Sequence, residues 1–242
     1  MIPLKDTIPS REKPFVTLLI ISINVLIFVF QTTLPTDFVD DFIQIFGFVP
    51  YRLTYALQHD FIWGIIISFF SIFTSMFLHG SWMHLIGNMW SLWLFGDNVE
   101  DRMGHFKFFI FYILSGFFAA ITHYIFNFNS PIVTVGASGA IAGVMGAYFV
   151  MFPLSRIITL LPVFWIPFFI EIPAVIFIGF WFISQVSHGI LTLFGPVYAF
   201  GIAWWAHIGG FLFGALTVPL FKKRVKRYQR FFDDEYYYYL YF

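Results

Sequence analysis

The chain has 242 residues, 60% hydrophobic, 24% aromatic and only 11% charged, which excludes a water-soluble globular domain and points to a polytopic α-helical membrane protein. It has no cysteine, so thiol nucleophiles, thiolate metal sites and disulfides are excluded as well. The formal net charge is zero, yet Lys5, Arg11 and Lys13 precede the first apolar run, and Lys222, Lys223, Arg224, Lys226, Arg227 and Arg230 follow the last.

By the positive-inside rule both basic ends are cytoplasmic, so the number of spans is even. Residues 1–14 read as a cytoplasmic N-terminal segment without a cleavable signal pattern. Residues 15–221 read as the membrane domain, and residues 222–242 as a basic cytoplasmic tail. Span one is expected from Phe15 to about Leu34, with Pro14 suited to a helix start and Pro35 just past the end. A long connection, Thr36 to Ser81, mixes apolar residues with Asp37, Asp40, Asp41, Arg52, His59 and Asp60, as a segment lying at the membrane interface does. Within it Phe61 to Leu78 is uncharged, but counting it would give seven spans and separate the basic ends. It is expected to be re-entrant or interfacial.

Span two is expected from Trp82 to Gly96, closed by Asp97, Glu100, Asp101 and Arg102, and span three from Phe106 to about Phe126. Span four, Ser138 to Phe152, is only about 22 Å long. It cannot cross the whole hydrocarbon core, so its serine end begins below the membrane surface. Pro153 to Pro173 reads as a connection that stays close to the membrane. Span five runs from Ala174 to about Leu193 and span six from about Ile202 to Phe221. The expected architecture is an all-α bundle of six spans with a long, partly embedded first loop, followed by a low-complexity tail, Phe231 to Phe242.

Gly136-Ala137-Ser138-Gly139 opens span four. There the first-turn N–H groups lack intrahelical partners and the helix dipole presents its positive end, a setting that stabilises an oxyanion. Glycines at 136 and 139 let a substrate carbonyl approach the backbone, although small residues at such spacing also serve helix packing alone. His207 lies near the start of span six. Spans four and six run in the same direction, and Ser138 and His207 each precede the far end of their span by fourteen residues, about 21 Å, so they share one depth. Gly139 and Gly143 on span four, with Gly210 and Gly214 on span six, form stripes that let the two backbones come close.

His84 and Asn88, four apart on one face of span two, can donate hydrogen bonds to developing negative charge. His79, His84 and His207 offer three imidazoles, but no carboxylate lies at that depth and the spacing fits no familiar zinc pattern. No metal and no cofactor are expected. Asp97, Glu100 and Glu171 fall toward the cytoplasmic side, which leaves no acid to orient His207 and implies a Ser-His dyad.

From Ser75 to Gly214 the chain resembles the rhomboid family of intramembrane serine proteases. The resemblance rests on His79-Gly-x-x-x-His-Leu-x-x-Asn-Met89, Phe95-Gly96, Val99-Glu100, Gly104, Gly136-Ala-Ser-Gly139, Trp181-Phe182-x-x-Gln185 and Ala206-His-x-x-Gly-x-x-x-Gly214, in that order. It implies Ser138 as nucleophile and His207 as general base. His84, Asn88 and the backbone N–H of Ser138 would stabilise the oxyanion, with Gly136 and Gly139 shaping the serine turn. Span five and the Thr192 to Tyr198 loop resemble a gate and cap. One departure is Trp63-Gly64, where many bacterial members carry Trp-Arg. The resemblance implies hydrolysis of a peptide bond in or near the transmembrane segment of a membrane-protein substrate, in a bacterial plasma membrane, without nucleic acid. Two rivals are an inactive rhomboid-like protein that binds membrane clients, whose kind typically lacks the serine or the histidine, and a small histidine-lined transporter, which would show repeated halves.

Overall fold

The computed structural model describes residues 1–163, 166–194 and 202–223. In chain order the elements are β1 (Ile2–Asp6), α1 (Phe15–Thr33), α2 (Thr36–Phe46), α3 (Pro50–Gln58), α4 (Ile62–Ser75), α5 (Trp82–Met103), α6 (His105–Asn127), α7 (Ser138–Met151), β2 (Arg156–Val163), β3 (Ile166–Pro173), α8 (Ala174–Thr192) and α9 (Trp204–Phe221). Among the described residues, α1, α6, α8 and α9 are long and apolar enough to cross a membrane. The uncharged stretch of the first loop forms the 14-residue α4, which like the 14-residue α7 is shorter than the roughly 20 residues that cross a whole bilayer core.

The expectation of an all-α chain is corrected by an antiparallel sheet in the order β1-β2-β3. Residues 156–173 are rich in isoleucine and phenylalanine, which suits strands, and carry Pro162 and Pro167, which disfavour a helix interior. The segment read as a plain connection is therefore a hairpin, and the N-terminal segment supplies its third strand.

α5 is also longer than expected. Asp97 and Glu100 do not end it; the helix continues to Met103 and stops at Gly104, whose φ of +82° suits glycine. Glu100 is only 1% exposed because its carboxylate has work inside. It accepts from the backbone N–H groups of Val16 and Thr17, both at 2.8 Å, and from the Thr17 hydroxyl at 2.7 Å. Pro14, the residue before α1, gives no side-chain cap, so a carboxylate from another helix satisfies α1's orphan donors.

α7 is the centre of the bundle. Every residue from Gly139 to Tyr148 is buried, as expected of a helix that is apolar all round. Its small residues meet α9 backbone to backbone: a Cβ on Gly210 would run into the Gly139 carbonyl, and one on Gly214 into the Gly143 carbonyl. Gly146, which sequence reasoning left without a role, makes a third such contact with the Phe211 carbonyl.

Candidate active site

Ser138 is the first residue of α7, and Ala137 before it has near-helical angles. Gly136 has a φ of +123°, a conformation that strains any side-chain-bearing residue. Its N–H donates to the Ser75 carbonyl at 2.9 Å, which ties the serine turn to the end of α4. The short helix thus starts inside the bundle, with the hydroxyl at its open end.

The seam of glycines sets α9 against α7 so that His207 Nε2 lies 2.8 Å from Ser138 Oγ. On the other side of the ring, His207 Nδ1 lies 2.7 Å from Gln185 Oε1 of α8. The amide nitrogen of Gln185 points to the Trp181 carbonyl at 3.3 Å and the Ser184 hydroxyl at 2.9 Å. A carbonyl only accepts, so that end of the amide is the NH2 and the oxygen faces His207. Nδ1 then carries the proton and Nε2 is left to accept from the serine. Trp181 flanks the imidazole with ring centroids 5.9 Å apart. Sequence reasoning quoted Gln185 but gave it no role; an amide in the middle of an apolar span was the available signal.

His84 and Asn88 border the serine turn from α5. A Cβ on Gly136 would lie 2.7 Å from the His84 ring and 3.6 Å from Asn88 Nδ2. Asn88 Nδ2 is also 2.9 Å from His79 Nε2. His79 is 1% exposed and its backbone is held at both ends by Gln31: Oε1 accepts from the His79 N–H at 3.3 Å, and Nε2 donates to the His79 carbonyl at 3.2 Å. His79 thus supports Asn88, a role that sequence reasoning, which weighed it only as a metal ligand, missed together with Gln31.

Ser138, His207, His84, Asn88 and Gly136 line one cavity of about 900 Å³, which also reaches His123 and Thr134. Asp97, Glu100 and Glu171, expected away from His207, do not line this cavity. Glu100 caps α1, Glu171 pairs with Arg156 at 3.3 Å, and Asp97 accepts from Asn98. Among the described residues no group of three or more His, Asp or Glu is placed to hold a metal ion. Of the expected cap, residues 195–198 lie outside the described residues, as does the tail from residue 224 onward. Chemically, the arrangement offers a hydroxyl with a base in contact, an oriented imidazole, and helix-terminal N–H groups beside an amide and a second imidazole.

Comparison with known proteins places the chain in a family. The Rhomboid domain matches residues 67–224, more than half of the chain. Rhomboid protein 1, mitochondrial, of Saccharomyces cerevisiae is 29% identical over 181 residues, which cover 71% of this chain and 46% of the yeast protein. RHOMBOID-like protein 1 of Arabidopsis thaliana is 30% identical over 145 residues, covering 60% and 32%. The putative rhomboid protease YdcA of Bacillus subtilis is 37% identical over 82 residues, covering 33% and 40%. The chain spans less than half the length of each of these relatives. With a matching domain that runs from α4 through α9, the chain belongs to the rhomboid family.

Proposed function

We propose that this integral membrane protein is a serine endopeptidase that hydrolyses a peptide bond in or near the transmembrane segment of other membrane proteins. In this reading α1, α5, α6, α7, α8 and α9 are the six spans, and the basic ends lie together in the cytoplasm of a bacterial cell. The observation that carries the reading is the 2.8 Å contact between His207 Nε2 and Ser138 Oγ, with the tautomer set by Gln185.

His207 takes the serine proton as Oγ attacks the scissile carbonyl, and the imidazolium returns that proton to the leaving amine. Negative charge on the former carbonyl oxygen is met by the N–H of Ser138 at the start of α7, by Asn88 and by His84. Water entering through the cavity hydrolyses the acyl-enzyme, with His207 again the base.

The test is a serine-directed fluorophosphonate on the purified chain, the adduct located by mass spectrometry. The label is expected on Ser138 and nowhere else, and Ser138→Ala and His207→Ala are each expected to cut a single-span model substrate only at background rate. Full cleavage by Ser138→Ala would end the protease reading.

A further inference from the structure

The proposed chemistry uses no part of the three-stranded sheet, whose polarity is that of an element made for lipid. The charged residues of its strands sit at one end: Lys5 and Asp6 on β1, Arg156 on β2 and Glu171 on β3. Between Arg156 and Glu171 the chain has no charged residue. β2 and β3 pair along their whole length, from Arg156 opposite Pro173 to Val163 opposite Ile166, and at about 3.3 Å per residue the hairpin rises roughly 23 Å from its charged base.

α5 fixes the direction of that rise. Asn98 Nδ2 donates to Asp6 Oδ2 at 2.8 Å, and Trp90 Nε1 donates to the Pro3 carbonyl at 2.6 Å. Trp90 and Asn98 are about 12 Å apart along the helix, and Pro3 and Asp6, which face Thr159 and Ile157 across an irregularity in β1, about 7 to 10 Å apart along the strand. The two contacts follow one another in the same direction on both elements, so β1 runs beside the helix, from its charged end toward its middle. Its antiparallel neighbours follow the same line. A sheet laid flat across the end of the bundle would bring Asp6 to α5 but not Pro3.

The surface has the matching chemistry. Ile166, Phe168, Phe169 and Ile170 of β3 are exposed, and because successive residues point to opposite faces, β3 is apolar on both. A sheet in water keeps a polar face. Through Pro173 this surface continues into α8, whose Ile176, Phe180 and Ile183 are exposed in the same way on a helix long and apolar enough to cross a membrane.

The backbone is adapted as well. Pro162 faces Pro167 and neither has an N–H, so this pair turns away from the ladder; by alternation, the groups of Pro173 and, on the other edge, Pro3 also turn outward. On the outer edge of β3 prolines remove two of the four outward donors, at 167 and 173, and leave those of Phe169 and of Glu171 at the base; the outward carbonyl of Pro3 is the one that takes the Trp90 N–H.

We infer that the β1-β2-β3 sheet is inserted in the bilayer beside α5, with lipid acyl chains covering its apolar surface and its charged base at the headgroups. This needs only an integral membrane protein and stands whether or not Ser138 is a nucleophile. The chain lacks cysteine, so single variants Phe168→Cys, Phe169→Cys and Ile170→Cys can each be spin-labelled in the full-length protein in phosphatidylcholine vesicles, with Phe180→Cys as the lipid-exposed reference and Glu171→Cys at the base. The labels on β3 above Glu171 are expected to match Phe180, several-fold more accessible to oxygen than to a water-soluble nickel chelate, with the preference reversed at Glu171. A nickel preference at all β3 positions overturns the inference. So does dipolar broadening between labels on separate chains, which would mean that a second copy covers this face. A second measurement needs no substitution: a phospholipid with a diazirine deep in its acyl chain is expected to label unmodified peptides within residues 157–170. Labelling of α8 without any in 157–170 overturns the inference too.

Discussion

The α7-α9 seam and the sheet beside α5 hold their partners by opposite means. In the seam, carbonyl groups of α7 lie where Cβ atoms of Gly210 and Gly214 would be, so backbone meets backbone with no rotamer between. The sheet is tethered by side-chain hydrogen bonds: Trp90 to Pro3, Asn98 to Asp6, and the Tyr148 hydroxyl to Asp6 at 2.6 Å. The difference follows from what each must hold. A serine and its base lose about 10²-fold in rate when misplaced by about 1 Å, and only direct backbone contact fixes two helices that closely; a lipid-covered sheet needs orientation and no more.

The sharpest way to break the comparison is at Gly214. Alanine usually improves a helix over glycine by about 1 kcal/mol, but at Gly214 the added Cβ meets the Gly143 carbonyl. Gly214→Ala is expected to lower the midpoint of thermal unfolding in detergent and abolish fluorophosphonate labelling. At Gly87 of α5 an added Cβ meets nothing within 4 Å, so Gly87→Ala is expected to match or exceed the parent in stability. If both variants behave alike, the seam is not what places His207.

Asn88 probes the rim that faces the seam. Loss of one oxyanion donor costs on the order of 10² to 10³ in rate, so Asn88→Ala is expected to lower kcat by that amount with KM unchanged. A change confined to KM would make Asn88 a binding group.

Gln185 comes next, because it acts through the His207 ring. Gln185→Leu removes the acceptor at Nδ1 and is expected to reduce kcat on the order of 10²-fold, with KM unchanged. Gln185→Glu keeps an acceptor there and is expected to restore most of the rate. Equal loss in both variants would mean that Gln185 serves packing alone.

The reach of sequence reasoning divides along the same line. Span-length apolar runs and glycine spacing are local signals, and from them helix limits were legible to within a residue or two for α1, α6, α7, α8 and α9, as was the shared depth of Ser138 and His207. What was not legible depends on partners far away in the chain. Glu100 looked like the end of a helix because three of its donors, the N–H groups of Val16 and Thr17 and the Thr17 hydroxyl, lie on α1, next to it in space and 83 or 84 residues away in sequence. Residues 156–173 looked like a connection because strand pairing with residues 2–6 leaves no periodic mark in an almost wholly apolar stretch. The Gln185 role required knowing which face of α8 meets α9, and an apolar helix surrounded by lipid and protein does not announce that face.

The smallest effect is expected at the base of the sheet. Arg156 Nη1 and Glu171 Oε2 are 3.3 Å apart, and both side chains are half exposed, a setting in which an ion pair contributes about 0 to 1 kcal/mol. They join neighbouring strands that eight residue pairs already hold in register, so the register does not depend on them. Glu171→Gln and Arg156→Gln are therefore expected to leave labelling at Ser138, substrate cleavage and the unfolding midpoint within error of the parent. The comparison with Gln185 is the informative part: all three are polar residues on or beside α8, and only the one that touches the imidazole should matter to the chemistry. Were Glu171→Gln as inactive as His207→Ala, a carboxylate would be acting on the dyad from the far end of α8, and the separation between a rigid site and a tethered sheet would be wrong.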